Sequence, residues 1–237
     1  DEAPYKTAEQ YLFQYNRAND YKSRNQAVEY AITNNNSEIL IAALRDPFFR
    51  LRIKAIQGLR PDNVAQWAPV VENLAQNDPE NLTKAAAIAQ LSRLRDAKYK
   101  SLFENAVKIP SRSIKVAAAS GLVALDPSLA SQYIDKIDLK SLNFEQFMTF
   151  YPYILKSKDE KYLPILLDKV IYYPLYPEQY QAPIKEGFNW LMSTDNTELT
   201  KKAAKTLSNV FGWFSEDEKK LLRKVSEDGL KIKEDLL

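Results

Sequence analysis

The sequence predicts an all-α chain, a right-handed α-α superhelix in which about a dozen helices stack as pairs into a solenoid. Three observations predict it. A basic residue, an alanine three positions on and a small or aliphatic residue four further on recur along the chain: Arg24, Ala27 and Ala31, then Arg52, Ala55 and Leu59, then Lys84, Ala87 and Leu91, then Lys115, Ala118 and Leu122. The alanines fall 28, 32 and 31 residues apart, the length of one helix pair with its turns. Capping residues and prolines punctuate the same spacing. Glycine is scarce, with only 5 in 237 residues where an average chain of that length carries roughly 17.

Each helix start has its own signal. Thr7 with Gln10 has the spacing of a capping box, in which two side chains satisfy each other's backbone donors. Ser37 is a single-residue cap. Asp46-Pro47, Asp78-Pro79 and Asp126-Pro127 each set a carboxylate before a proline whose missing N–H costs nothing in a first helical turn. Asp62 and Ser111 are further caps, and Asn143/Gln146, Ser157/Glu160, Asp195/Glu198 and Ser215/Glu218 repeat the box spacing. Helices of about 9 to 17 residues with short turns follow from these signals.

Within the helices, apolar positions recur at three and four residues, as in Ile53, Ile56 and Leu59 or Val116, Ala119 and Val123, and that stripe faces a neighbour. Alanines such as Ala85, Ala86, Ala87 and Ala89, or Ala117, Ala118 and Ala119, let two axes approach where leucine would hold them apart.

The pattern changes in 140–192, where aromatics and prolines crowd together and the repeats become irregular. Tyr172-Tyr173-Pro174-Leu175-Tyr176-Pro177 reads as an ordered loop, because each proline biases the residue before it toward extended conformations. Two helices close the array, near 196–211 and 216–235. The last carries seven acidic and six basic residues, as befits a polar end cap. No Gly/Ser-rich linker interrupts 1–237, so a single curved domain is expected.

Composition removes most catalytic options. Histidine and cysteine are both absent, which excludes Ser-His-Asp and Cys-His nucleophile systems and a zinc site with nitrogen and sulfur ligands. No two glycines lie close enough to cradle a phosphate. The 33 Lys+Arg against 31 Asp+Glu leave a net charge of +2, without the basic footprint that nucleic-acid binding requires. The most basic stretch, Arg45 to Arg60, has the composition of a solvated helical edge. No apolar run approaches the roughly 18 residues of a membrane span. Asp1-Glu2-Ala3-Pro4 carries neither an initiator Met nor a signal-peptide core, as expected of an excised domain or a processed chain.

Three segments together, Tyr11-Leu12-Phe13-Gln14-Tyr15, Asp20-Tyr21-Lys22-Ser23-Arg24-Asn25-Gln26-Ala27 and Leu44-Arg45-Asp46-Pro47-Phe48-Phe49-Arg50-Leu51-Arg52, resemble the C-terminal HEAT-like domain of bacterial zinc aminopeptidases of the aminopeptidase N family. The resemblance covers residues 9 to about 125 best, and the Asp-Pro and Arg/Lys-x-x-Ala-x-x-x-Leu pattern resembles HEAT and armadillo-like repeats more broadly. It implies a noncatalytic C-terminal part of a larger gluzincin metallopeptidase. In that family the zinc site lies upstream on a His-Glu-x-x-His helix, and none of it can be carried onto a chain without histidine. The implied role is to brace the catalytic domain and wall off a chamber that admits peptides by their free N-terminus. The implied partners are that upstream domain and, indirectly, the peptide substrate, with zinc as cofactor of the parent protein only. An exported, periplasmic location is favoured over the cytoplasm.

Five residues are candidates for interface or peptide contact: Arg24, Arg52, Tyr172, Tyr173 and Tyr176. The two arginines occupy equivalent repeat positions. Either they form a ladder aimed at an acidic peptide end, or each pairs with a carboxylate of the turn before it, Asp20 or Asp46. The aromatics between Phe144 and Trp190 are either a docking patch or the bulky core of irregular repeats. Asp159/Glu160 and Glu216/Asp217/Glu218 sit in first helical turns, where the helix dipole is reason enough for them. A free-standing repeat scaffold that binds a protein or peptide is the alternative to the aminopeptidase reading. An enzyme using only Asp, Glu, Lys, Ser or Tyr is the third.

Overall fold

The computed structural model describes residues 6–170, 181–208 and 216–228, all of them helix or connecting turn with no strand among them. The chain divides into two compact units, Asp1–Ile137 and Asp138–Leu237. The division falls beside the point at which the sequence turns aromatic.

The first unit contains α1 (Ala8–Arg17), α2 (Tyr21–Thr33), α3 (Ser37–Ala43), α4 (Phe49–Gly58), α5 (Val64–Asn77), α6 (Asn81–Ser92), α7 (Lys100–Ala106), α8 (Arg112–Leu125) and α9 (Ala130–Tyr133). They pack as successive pairs, α1 on α2, α3 on α4, α5 on α6 and α7 on α8, and the second member of each pair packs on the second member of the next. The recurrent alanines lie on those second members. Ala27, Ala55, Ala87 and Ala118 are all fully buried, because a small side chain there sets how closely consecutive pairs approach. Two glycines extend the same logic. A Cβ on Gly58 would come within 2.7 Å of the Ile32 side chain, and one on Gly121 within 2.8 Å of the Phe103 ring.

Helix starts follow local capping chemistry. At α1 the expected box closes, with Thr7 N donating to Gln10 Oε1 at 2.8 Å and Gln10 N to Thr7 Oγ1 at 3.3 Å. Asp20, whose capping role the sequence reading missed, accepts from Ser23 N and starts α2. Asn36 caps α3 in place of the expected Ser37, its side chain already aimed at Ile39 N. In the first two Asp-Pro turns the carboxylate reaches the N–H two residues on, Phe48 at 2.8 Å and Glu80 at 2.9 Å. The helices therefore begin past the proline rather than at it. Only Asp126 starts a helix directly at its proline, a short 3-10 turn, Pro127–Leu129. Asp62 lies inside another, Pro61–Asn63, and Ser111 precedes α8 without a side-chain bond to the backbone.

The second unit contains α10 (Phe144–Ser157), α11 (Leu163–Val170), α12 (Gln181–Ser193), α13 (Thr197–Ser208) and α14 (Glu216–Asp228). The Asn143/Gln146 box starts α10 as expected. That helix runs through Pro152, which removes only the N–H that would have met the Met148 carbonyl. Ser157 ends α10 instead of starting a helix, and Asp159 caps the 3-10 turn Glu160–Tyr162. Asn196 replaces Asp195 as the cap of α13, accepting from Leu199 N at 3.2 Å. Ser215 lies outside the described residues. Phe147, Phe150 and Tyr151 are fully buried, and Tyr162 and Trp190 nearly so. These members of the aromatic group are core, and they fill the interior together with leucines such as Leu163, Leu166 and Leu191.

Candidate functional site

The first two Asp-Pro turns each join the two helices of one pair, Asp46 between α3 and α4 and Asp78 between α5 and α6. Asp46 follows α3, and its carboxylate is buried, with four donors converging on it. Tyr15 Oη from α1 donates at 2.9 Å, Arg24 Nε and Nη2 from α2 at 2.8 and 3.4 Å, and Phe48 N at 2.8 Å. One turn on, Arg52 from α4 grips Asp78 in a two-pronged pair, Nε to Oδ2 at 2.7 Å and Nη2 to Oδ1 at 2.8 Å. Its remaining nitrogen, Nη1, donates back to the Asp46 carbonyl at 2.8 Å and the Pro47 carbonyl at 3.2 Å. Arg24 does the same with the Ala18 carbonyl at 3.3 Å. Each arginine thus ties the turn inside its own helix pair to the carboxylate in the corresponding turn of the next pair.

This corrects the partner expected for both arginines. Asp20 is exposed and spends its carboxylate on Ser23, whose backbone N–H is the main reason its pKa lies below the usual aspartate range. For Arg52 the turn before supplies carbonyls, because the Asp46 carboxylate is already occupied by Arg24 and Tyr15. A guanidinium with donors on two edges is suited to spanning both turns, which an ammonium cannot do as well.

The third repeat shows what the arginine contributes. Lys84 keeps the backward bond, to the Gln76 carbonyl at 3.0 Å, and the position corresponding to Asp78 before the next repeat is Ile109, followed by Pro110 as Asp78 is by Pro79. The forward pairing ends there. Asp126 is held locally by Ser128, whose hydroxyl at 2.6 Å is the leading cause of its lowered pKa.

Burial pushes the Tyr15 hydroxyl far above its ordinary pKa, and the bond to Asp46 adds to the shift. Tyr15 is therefore a neutral donor at any physiological pH. The Tyr99 hydroxyl, donating to Glu72 at 2.7 Å, is raised for the same leading reason.

Both candidate arginines are thus engaged within the fold. Tyr172, Tyr173 and Tyr176 lie outside the described residues. The remaining carboxylate clusters are caps and ion pairs. Asp159 accepts from Lys161 N at 3.1 Å, Glu160 from the Thr194 hydroxyl at 3.0 Å, Glu216 pairs with Lys219 at 2.8 Å and Asp217 with Lys220 at 3.1 Å. Among the described residues no group of three or more metal-ligating side chains converges. No helix there is long and apolar enough to cross a membrane.

Beside the Asp46 junction lies an open groove of about 550 Å³, lined on one side by Leu44, Arg45 and Pro47 and on the other by Pro69, Val70, Asn73 and Leu74 of α5. Sequence reasoning missed it. Its one legible sign was Pro69 in the middle of an otherwise regular helix.

No family model matches the chain, and no curated protein matches it either.

Proposed function

We propose that this chain is a noncatalytic helical domain whose paired helices continue as a right-handed superhelix, and that it braces the catalytic domain of a zinc aminopeptidase and walls its peptide chamber. The observation that carries the bracing role is the network joining Tyr15, Arg24, Asp46, Arg52 and Asp78. Those residues tie the turns of three successive helix pairs through buried and part-buried charge-assisted bonds, and such bonds fix register more than they add stability. Four of the five fall within the segments that resemble the aminopeptidase N family. The parent protein's zinc and activity rest on that resemblance alone.

A second reading, a free-standing scaffold that binds a protein or peptide, is favoured by the groove beside Asp46, which a purely bracing domain does not need. One experiment separates the two. The native polypeptide is captured from its source with an antibody against this chain, and its intact mass and bound zinc are measured. A species far above 27.2 kDa that carries zinc supports the metallopeptidase cover. A zinc-free species near that mass refutes it and leaves the scaffold.

A further inference from the structure

The groove beside the Asp46 junction has a chemistry that selects its occupant. Its floor is apolar, made by buried Leu44 and Leu74 and half-buried Val70, with the exposed rings of Pro47 and Pro69 at its edges. Its volume of about 550 Å³ lies within the roughly 300–1,000 Å³ spanned by sites that hold small ligands or a few side chains. It is open to solvent, so a chain can rest in it.

The polar lining is one-sided. Asp46 contributes the only carboxylate among the lining residues, and that group is saturated by Tyr15, Arg24 and Phe48. The Asp46 and Pro47 carbonyls already accept from Arg52. Donors remain. Arg45 is exposed and engaged in no ion pair among the described residues. Asn73 uses its Oδ1 to accept from Asn77 at 2.9 Å, which leaves its Nδ2 hydrogens for an occupant. A groove that offers a guanidinium and an amide N–H over an aliphatic floor, with its one carboxylate already engaged, is complementary to an acceptor-rich and negatively charged chain.

We propose that this groove binds a linear peptide segment of a partner protein in which a carboxylate lies beside an aliphatic side chain. The carboxylate meets Arg45 and Asn73, and the aliphatic group rests on Val70, Leu74 and Pro69. The wall is pre-organised, because Arg52 pins both carbonyls of the Asp46-Pro47 turn and less ordering is needed on binding. The proposal is independent of whether a catalytic domain precedes the chain.

Fluorescence anisotropy tests it on the full chain, using a labelled peptide of about ten residues that alternates Glu and Leu. Matched peptides carry Gln or Lys in place of Glu, and a labelled oligothymidylate of the same length is the nucleic-acid comparison. Saturable binding of the Glu peptide is expected, about tenfold tighter than the Gln peptide, with the Lys peptide weaker still. Arg45→Glu should weaken the Glu peptide about tenfold with an unchanged circular dichroism spectrum, and Asn73→Ala about threefold. Arg60→Glu makes the same charge change at an exposed residue outside the groove and should leave affinity unchanged. Equal binding of the Glu and Gln peptides, no binding of either, equal losses for Arg45→Glu and Arg60→Glu, or tighter binding of the oligothymidylate would each overturn the proposal.

Discussion

The two units are built from the same kind of element and held by different chemistry. In the first, small residues bring the second helices of successive pairs together, and the part-buried Arg24–Asp46 and buried Arg52–Asp78 pairs tie the turn of one helix pair to that of the next. In the second, the described core sets large rings among leucines, with Phe147, Phe150 and Tyr151 fully buried on α10 beside Leu163, Leu166 and Leu191. Apolar packing tolerates sliding by one helical turn, because one leucine or alanine resembles the next. A two-pronged arginine–carboxylate pair has only one satisfied geometry, so it specifies register at little net gain in stability. The contrast teaches that the first unit depends on where its helices sit and the second mainly on how well its interior is filled.

The comparison can be broken most severely at Asp46. Asp46→Ala strands Arg24 and Tyr15 with unmet donors in a buried site and should cost about 3–5 kcal/mol in chemical denaturation. Phe150→Ala should cost about the same, for the different reason that it opens a cavity. Refilling distinguishes them. A helix-sized apolar residue in place of Asp46 restores volume but not partners, so Asp46→Leu should stay near the alanine value, whereas Phe150→Leu should recover much of the loss.

The next effect is steric. Gly121→Ala drives a methyl into the Phe103 ring and should lose about 1–3 kcal/mol, measured as a lower midpoint with an unchanged denaturant slope.

A smaller effect is the alkaline limit. In the unfolded chain tyrosine ionises near its ordinary pKa of 10.0, while buried Tyr15 holds its proton well above that value. The stability it contributes is complete below pH 10 and is lost as pH rises beyond it, because unfolding then releases a proton. Tyr15→Phe should flatten that alkaline slope in part, with Tyr99 supplying a remainder. At neutral pH the same change should cost about 1–2 kcal/mol, since it leaves Asp46 one donor short.

The smallest effect belongs to the surface. Lys54 reaches Glu29 at 2.6 Å and Asn25 at 2.7 Å, and Lys54 is the main cause of the lowered Glu29 pKa. The Glu29 side chain is more than half exposed, so Glu29→Gln should change stability by less than about 1 kcal/mol, and less still at high salt.

Much of the fold was legible where a pattern repeats. The alanine ladder placed Ala27, Ala55, Ala87 and Ala118 on inner faces, since small residues at helical spacing are there to be packed against. The box spacings worked where both residues were free to reach the backbone, at Thr7 and Asn143. The box failed where a neighbour competed, as Asn196 did with Asp195, and Asn36 displaced the single cap expected at Ser37 in the same way. The brace was half legible. The sequence showed that Arg24 and Arg52 are equivalent but not that each reaches forward to the turn inside the next helix pair, because that depends on which carboxylates are already taken. Asp78 was legible as a cap but not as a partner for Arg52, and nothing in the sequence marked Tyr15 as a donor to Asp46. The groove depends on the separation between a turn and a helix some 25 residues on, a distance that no local pattern encodes.

The central claim is that arginine and aspartate act as one unit across the turns, and a double-mutant cycle on Arg52 and Asp78 tests it most directly. Denaturant unfolding is measured for Arg52→Met, Asp78→Leu and the pair together. The account predicts that each single change costs about 3–5 kcal/mol by stranding a buried charge, and that the double variant recovers at least about 2 kcal/mol of the summed loss. If the two losses simply add, to within about 0.5 kcal/mol, the pair is not a brace and the comparison between the units fails.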